Sequence, residues 1–499
     1  MHKQPKKAWI IFAAVGLVIL GFPLIAVGQI PIQGMPVPDL TIFDQRMQNY
    51  MQTHGIEAGL LGIMRNGVIV YQRGFGWKDA GHNEYLRHDA VMRIASCTKP
   101  FTAAAAQRLI AGGRLARNTL AFNLTPTGGI LNNPPYAPFP GPNLGDPDFA
   151  LITVQHLYTH RGGWDRDFQQ GGVSHTNREI QIADDFNNAG IFSPYPPGVE
   201  RTVNWILGQP LIHTPGVPGV PGSQRAYSNE GFMVLGLIVE QVSGQQLEPY
   251  VRNKVLGPLD WVPVSELVWG RTHPVNRDPR EPWYDCEDRC PDVFDDDPDR
   301  DDVICSEGGW DHEAKFGHGG MVSSTTMMLH LAENYYISDV TTTGNSDPSY
   351  GELTGGVRDD RFHRGNFCGT NSVLQQRSDG INFAVIFNRD GTDVNSPPPP
   401  ADPILYHQGI QTAINNTINA GGIKWPTQGV DGQWADFNEA AAGEGSFEEP
   451  WNDLSLALNG MAYEGTLNIK PGTTDWIGTI NQTVRIRAPL NGGVIIGQQ

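Results

Sequence analysis

Arg93-Ile94-Ala95-Ser96-Cys97-Thr98-Lys99-Pro100 leads directly into residues 101–110, an Ala-rich apolar run closed by Gly112-Gly113. Ser is favoured at a helix start and Pro is tolerated in a first turn, so Ser96 belongs at or beside a helix N-terminus. Lys99, three residues on, then falls on the same face one turn later. A serine hydroxyl is a weak nucleophile unaided. An amine held partly neutral by burial and neighbouring positive charge can take its proton. The helix N-terminus also opposes the oxyanion formed on attack. By itself, however, S-x-x-K also describes a capping serine beside a solvated lysine.

A second stretch shifts the balance towards chemistry. Arg225-Ala226-Tyr227-Ser228-Asn229 precedes residues 232–242, another apolar helical run, ending at Gly244. It holds the one Y-x-N of the chain, as Ser96 and Lys99 form the one S-x-x-K. A tyrosine whose pKa is lowered by neighbouring cations can relay protons, and Asn229 can hydrogen-bond Lys99 or a substrate amide.

Further out lie the pieces of a sheet. Residues 58–64 and 68–73 alternate as strands joined across Asn66-Gly67, a strong hairpin signal. Residues 372–376 and 381–388 repeat the pattern around Ser378-Asp379-Gly380. Helical spacing runs over residues 40–54, stopping at Gly55, and over residues 404–418. Strands and helices at both ends with a helix-rich middle predict an α+β fold whose sheet is closed by both termini.

Ser96-Cys97-Thr98-Lys99 followed by Tyr227-Ser228-Asn229 resembles the serine β-lactamase-related family, which includes class C β-lactamases, D-alanyl-D-alanine carboxypeptidases and related esterases. Ile152-Thr153-Val154-Gln155-His156-Leu157-Tyr158-Thr159-His160 is similar to its T-(V/I)-x-(H/D)-L-L-T-H stretch, and Gly319-Gly320-Met321-Val322-Ser323-Ser324 to its G-G-(L/M)-x-S-T stretch. The resemblance covers about residues 38–420. It implies a β-lactamase/transpeptidase-like fold, an antiparallel sheet with an all-helical lobe and the cleft between them. In it Ser96, Lys99 and Tyr227 are catalytic, and Asn229, His363 and Gly365 bind substrate or the oxyanion.

The family's third motif, K-T-G or H-x-G, is met best by His363-Arg364-Gly365. His160, His318 and His407 also begin an H-x-G, and chain order decides for His363. His in place of Lys removes a permanent cation that would meet a carboxylate, which tilts the expectation from a β-lactamase towards an esterase or peptidase. No G-x-S-x-G elbow, H-E-x-x-H helix or G-x-x-x-x-G-K-(S/T) loop competes.

The remaining sequence sets the context. A net charge of −18 excludes electrostatic attraction to nucleic acid. His2, Lys3, Lys6 and Lys7 precede an uncharged apolar run over residues 9–27, with Ala26-Val27-Gly28 offering a cleavage site. Residues 1–28 thus read as a signal peptide, with an uncleaved membrane anchor as the alternative, and the body is expected in the periplasm or outside the cell. Among the five cysteines, one disulfide is expected within Cys286, Cys290 and Cys305, with Cys97 reduced. Residues 281–302 hold eleven acidic side chains. Asp295, Asp297, Asp299 and Asp301 alternate like a calcium loop, but Arg300 stands where the turn requires Gly, so a solvated loop is the expectation.

Residues 29–39 and 421–464 read as linkers around a hydrolase domain at 40–420. Residues 465–499 read as a small β appendage, with residues 467–472 like one rung of a parallel β-helix that must dock on something. The expected activity is hydrolysis of an ester or amide in a small-molecule or peptide substrate, through an acyl-enzyme on Ser96 and with no cofactor or metal. A non-catalytic penicillin-binding-like scaffold of the cell envelope is the second class.

Overall fold

The computed structural model describes residues 30–499 except 125, 127, 133–134, 140, 167–168, 171–172, 175–195, 218–225, 260–261, 296, 298–300, 339–358, 394–403, 427–428, 431, 442, 444, 446–449, 461–465, 482–483, 488–493 and 498–499. The expected signal or anchor at residues 1–28 therefore lies outside the described residues. Among those described, no helix is long and apolar enough to cross a membrane.

A six-stranded antiparallel sheet organises the chain. Its strands are β1 (Ile32–Gln33), β2 (Ala58–Arg65), β3 (Val68–Gly76), β4 (Arg361–Phe367), β5 (Thr370–Gln376) and β6 (Ile381–Phe387), in the spatial order β1-β3-β2-β6-β5-β4. The β2–β6 ladder, from Gly59↔Phe387 to Arg65↔Ile381, joins the N-terminal hairpin to the C-terminal one. Asn66 (φ 50°) and Gly67 (φ 81°) both sit in the left-handed region, as a two-residue type I′ turn requires.

Both faces of this sheet are covered, and its central strands β2 and β6 are accordingly mostly apolar on both faces. Leu61, Ile63, Val373, Phe383 and Val385 point to α1 (Thr41–His54) and the C-terminal helix 406–419, meeting Phe43, Met47, Ile410 and Ile414. Their neighbours Leu60, Met64, Leu374, Ala384 and Ile386 point the other way, into the helical lobe. α1 stops where Gly55 (φ 63°) returns its N–H to Met51 O. The lobe is built around α2 (Thr98–Ala111), whose Ala103–Ala106 are buried. Against it pack α3 (Glu230–Ser243) and α4 (His312–Gly319). Small residues set the spacing: a Cβ on Gly317 would lie 2.5 Å from Phe232 O.

Three expectations change. Residues 29–39 are not wholly linker, because Ile32–Gln33 pairs with Phe75 and Gly74 at the edge of the sheet. Residues 421–464 include β7 (Gly432–Ala435) and α5 (Leu454–Gly460). These join β8 (Thr466–Ile469) and β9 (Arg485–Arg487) in one parallel stack, β7-β8-β9, with Ala435, Leu454, Ala457, Leu467 and Ile469 in its core. The rung-like stretch docks there, on residues whose polar composition hid them. The cysteines form two bridges: Cys290–Cys305 lies within the expected cluster, and Cys286–Cys368 reaches out of it to the end of β4. Cys97 is buried and free. Asp299 lies outside the described residues, and the described ones hold no cluster of three metal-ligating side chains.

Candidate active site at the sheet–lobe cleft

Ser96 occupies a single 3-10 turn, Ala95–Cys97, between the short strand Met92–Arg93 and α2. Ala95 there has φ 45°, a conformation costing an L-residue about 1–3 kcal/mol, so its surroundings must impose it. They do so from the strand side. Ser372 Oγ donates to Ile94 O at 2.7 Å, and Gly365 approaches so closely that a Cβ would lie 2.3 Å from Ile94 O. The buried Cys97 thiol, pushed up to about 12 chiefly by desolvation, donates to the His363 carbonyl at 3.5 Å. From the lobe side, Thr98 Oγ1 accepts from Met321 N and Thr102 Oγ1 donates to Gly317 O.

At the second position of α2, Lys99 is fully buried. Its Nζ donates to Ser96 Oγ (3.0 Å), Asn229 Oδ1 (2.8 Å) and the His318 carbonyl (2.9 Å). Asn229 is held at the N-terminus of α3, and His318 in the last turn of α4. Three helices thus converge on one ammonium, whose three donors all find oxygen. Burial, Lys99 and Lys315 hold the His318 imidazole well below its ordinary pKa, so it is neutral and adds no competing charge.

Tyr227 completes the cluster. Burial would raise its pKa, but the charges of Lys99 and Arg166 and hydrogen bonds with Lys99 and Ser96 outweigh it and leave the phenol below its ordinary value. Lys99 Nζ lies 4.9 Å from the ring centre and the Arg166 Cζ 4.4 Å. His160 stacks on the same ring, centroids 4.4 Å apart and planes 25° apart. His160 Nδ1 accepts the Ser228 N–H at 3.1 Å and its carbonyl accepts from Ala226 N, so it grips the residues on both sides of Tyr227. Arg166 N donates to Tyr227 O at 2.7 Å.

His363 and Gly365 share one face of β4, the face turned to the Ser96 turn, while Arg364 points away to Gln411. The structure brings Ser96, Lys99, Tyr227 and Asn229 into side-chain contact and sets His363 and Gly365 along the opposing strand. The other H-x-G histidines separate cleanly. His160 supports Tyr227 and the His318 carbonyl binds Lys99, whereas His407 hydrogen-bonds Asn371 beside the C-terminal helix. Sequence reasoning gave His160 no role of its own, although it closes the T-V-Q-H-L-Y-T-H stretch. Arg166 carried no motif at all.

This arrangement can activate a serine beside a buried ammonium and a polarised phenol. The family profile described as Beta-lactamase matches residues 43–422, most of the chain and all of these side chains. The chain belongs to the beta-lactamase family. Among curated proteins it is similar to Esterase EstB of Burkholderia gladioli, 28% identical over 218 residues covering 44% of this chain and 48% of the esterase. It is also similar to Protein flp of Staphylococcus aureus strain N315, 26% identical over 216 residues covering 43% of this chain and 36% of that protein. The chain thus spans less than half the length of these two relatives. Among solved structures it resembles the D-amino acid amidase of Ochrobactrum anthropi SV3 complexed with L-phenylalanine (17% identity, TM-score 0.48, covering 76% of this chain and 98% of the amidase). The octameric penicillin-binding protein homologue of Pyrococcus abyssi is also similar (20% identity, TM-score 0.46, 70% and 74% covered). The α+β beta-lactamase/transpeptidase-like fold read from the sequence is the fold observed.

Proposed function

We propose that this beta-lactamase-family chain is an exported serine hydrolase that cleaves an ester or amide through an acyl-enzyme on Ser96. The observation that carries it is the 3.0 Å contact between Lys99 Nζ and Ser96 Oγ beside a phenol held below its ordinary pKa. The Ser96 hydroxyl proton passes to the Lys99–Tyr227 pair as Oγ bonds to the substrate carbonyl carbon. The oxyanion is met by backbone N–H groups, that of Ser96 and one on β4 after His363. As the carbonyl reforms, the C–O or C–N bond to the leaving group breaks and the leaving group takes the proton back from the pair. Water then loses a proton to Tyr227, attacks the acyl carbon and releases Ser96 with its proton restored.

An esterase or peptidase is favoured over a β-lactamase, because His363 stands where a fixed cation would meet a β-lactam carboxylate. The named esterase relative supports the same preference. Export is supported by the two disulfides, which persist in oxidising compartments. A fluorophosphonate probe should label the wild-type protein on Ser96, and a panel of p-nitrophenyl esters, D-alanyl peptides and nitrocefin should rank the substrates. A scaffold would take up no probe. Alkylating the unreduced, unfolded protein should modify Cys97 alone; reaction at the other four cysteines would count against export.

A further inference from the structure

The cleft of this chain lacks the lysine that a K-T-G strand would bring, yet Tyr227 is not left with Lys99 as its one cation. Arg166 arrives from the loop that follows His160. Its backbone N–H is fixed to Tyr227 O at 2.7 Å, and its guanidinium lies 4.4 Å from the centre of the phenol ring. A planar guanidinium suits that position, because it stacks on an aromatic face while keeping its charge at every accessible pH. Around the ring, Lys99 comes from α2 with its Nζ 4.9 Å from the ring centre, His160 stacks at a centroid distance of 4.4 Å, and Ser96 hydrogen-bonds the phenol. His160 accepts the Ser228 N–H at Nδ1, so that nitrogen carries no proton and the ring is the neutral tautomer. The charges of Lys99 and Arg166 are the ones that hold the phenol below its ordinary pKa, and Asp165, beside Arg166 in the chain, is paired with His213 at 2.9 Å.

We propose that Arg166 is a positioning residue for Tyr227, a second fixed cation that orients the phenol and favours its deprotonated form, brought by a loop rather than by the third-motif strand. The inference rests on the hydrolase proposal for its catalytic meaning but not for its electrostatic content. Lys99 is a hydrogen-bonding partner of Ser96 and must exchange protons during turnover, so its charge is not constant. Arg166 is not in the proton path. It keeps the phenol acidic whichever proton state Lys99 holds.

Two measurements test this. In the pH profile of kcat/KM, Arg166→Gln should move the acidic limb upward by about one pH unit, with kcat/KM falling about tenfold below the limb and recovering above it. Arg166→Lys should restore most of the profile. A loss equal at all pH values, or unmoved limbs in both variants, would overturn the proposal, since a merely structural residue gives that result. The second measurement needs no turnover. Ultraviolet titration of tyrosinate in wild type minus Tyr227→Phe isolates Tyr227, which should ionise below the ordinary phenol range and return towards it in Arg166→Gln. If Arg166→Gln does not fold, Arg166→Lys and the wild-type difference titration decide, and a Tyr227 ionising in or above the ordinary range overturns the proposal. Absence of probe labelling at Ser96 with a lowered Tyr227 titration would instead sink the hydrolase proposal and leave the Arg166–Tyr227 pair standing.

Discussion

The two walls of the cleft are held by different physics. On the lobe wall, side chains hold one another: Lys99 spans Ser96, Asn229 and the His318 carbonyl, and Tyr227 lies between His160 and Arg166 and Lys99. On the strand wall, backbone does the holding. Gly365 presses on Ile94 O, the His363 carbonyl accepts from Cys97, and Cys286–Cys368 ties the end of β4 to the acidic segment. In the proposed mechanism the lobe wall sets proton transfer, where charge and hydrogen bonds must be set to fractions of an ångström, and the strand wall sets the shape of the cleft.

This contrast breaks most sharply at Ser96, the proposed nucleophile. Ser96→Ala should remove turnover to below about one part in a thousand while the fold survives, because only a half-buried oxygen is lost. Thermal melting and kcat/KM measured side by side check both halves, and residual turnover above that level would point to another nucleophile. Lys99→Arg comes next, with an expected loss of about 10²–10³-fold. Arg keeps the charge, but it cannot release a proton at any working pH, and its fork does not fit three acceptors set around one nitrogen. Near-normal rates in that variant would take Lys99 out of the proton path and leave the phenol to act alone.

On the strand wall the damage should come through geometry. A Cβ at Gly365 would stand 2.3 Å from Ile94 O, 2.5 Å from Ser372 Oγ and 3.0 Å from Ala95 Cβ. Gly365→Ala must push β4 away from the Ser96 turn or let Ala95 relax from its left-handed conformation. Overpacking of this kind costs about 1–3 kcal/mol, and the displaced turn should lower kcat about ten- to a hundredfold. Calorimetry and kinetics together test it. Unchanged stability would mean that β4 does not press on the turn.

The same contrast explains what could be read from the sequence. The grouping of Ser96, Lys99, Tyr227 and Asn229 was legible because two short motifs of fixed spacing each stand beside a helix start. The sheet was legible because its strands alternate between two apolar cores and Asn66-Gly67 specifies its turn. Arg166 was invisible: a guanidinium over a ring is a contact between distant segments with no spacing to betray it. The Cys286–Cys368 bridge was equally hidden, since its 82-residue separation leaves no local pattern. Residues 432–460 were misread as linker for a related reason. β7 and α5 bury only a few side chains each, such as Ala435 and Leu454, and their apolar signal emerges only when β8 stacks beside them.

The smallest expected effect sharpens the comparison most, because it asks the strand wall to select substrate without touching the chemistry. His363 is buried on the Ser96 face of β4, and an imidazole, unlike a lysine ammonium, is not a fixed cation for a carboxylate. His363→Lys would place a fixed cation at that edge, with a chain long enough to reach an anionic group bound over Ser96. A charge-assisted hydrogen bond contributes about 1.5–3 kcal/mol, so kcat/KM for nitrocefin over that for a neutral p-nitrophenyl ester should rise about tenfold. The lobe wall is untouched by the change, so turnover of the neutral ester should fall far less than in Lys99→Arg. If the ratio stays constant while the fold is intact, His363 does not face the substrate. The third motif would then have to be reassigned, with His318, whose carbonyl accepts from Lys99, the next candidate.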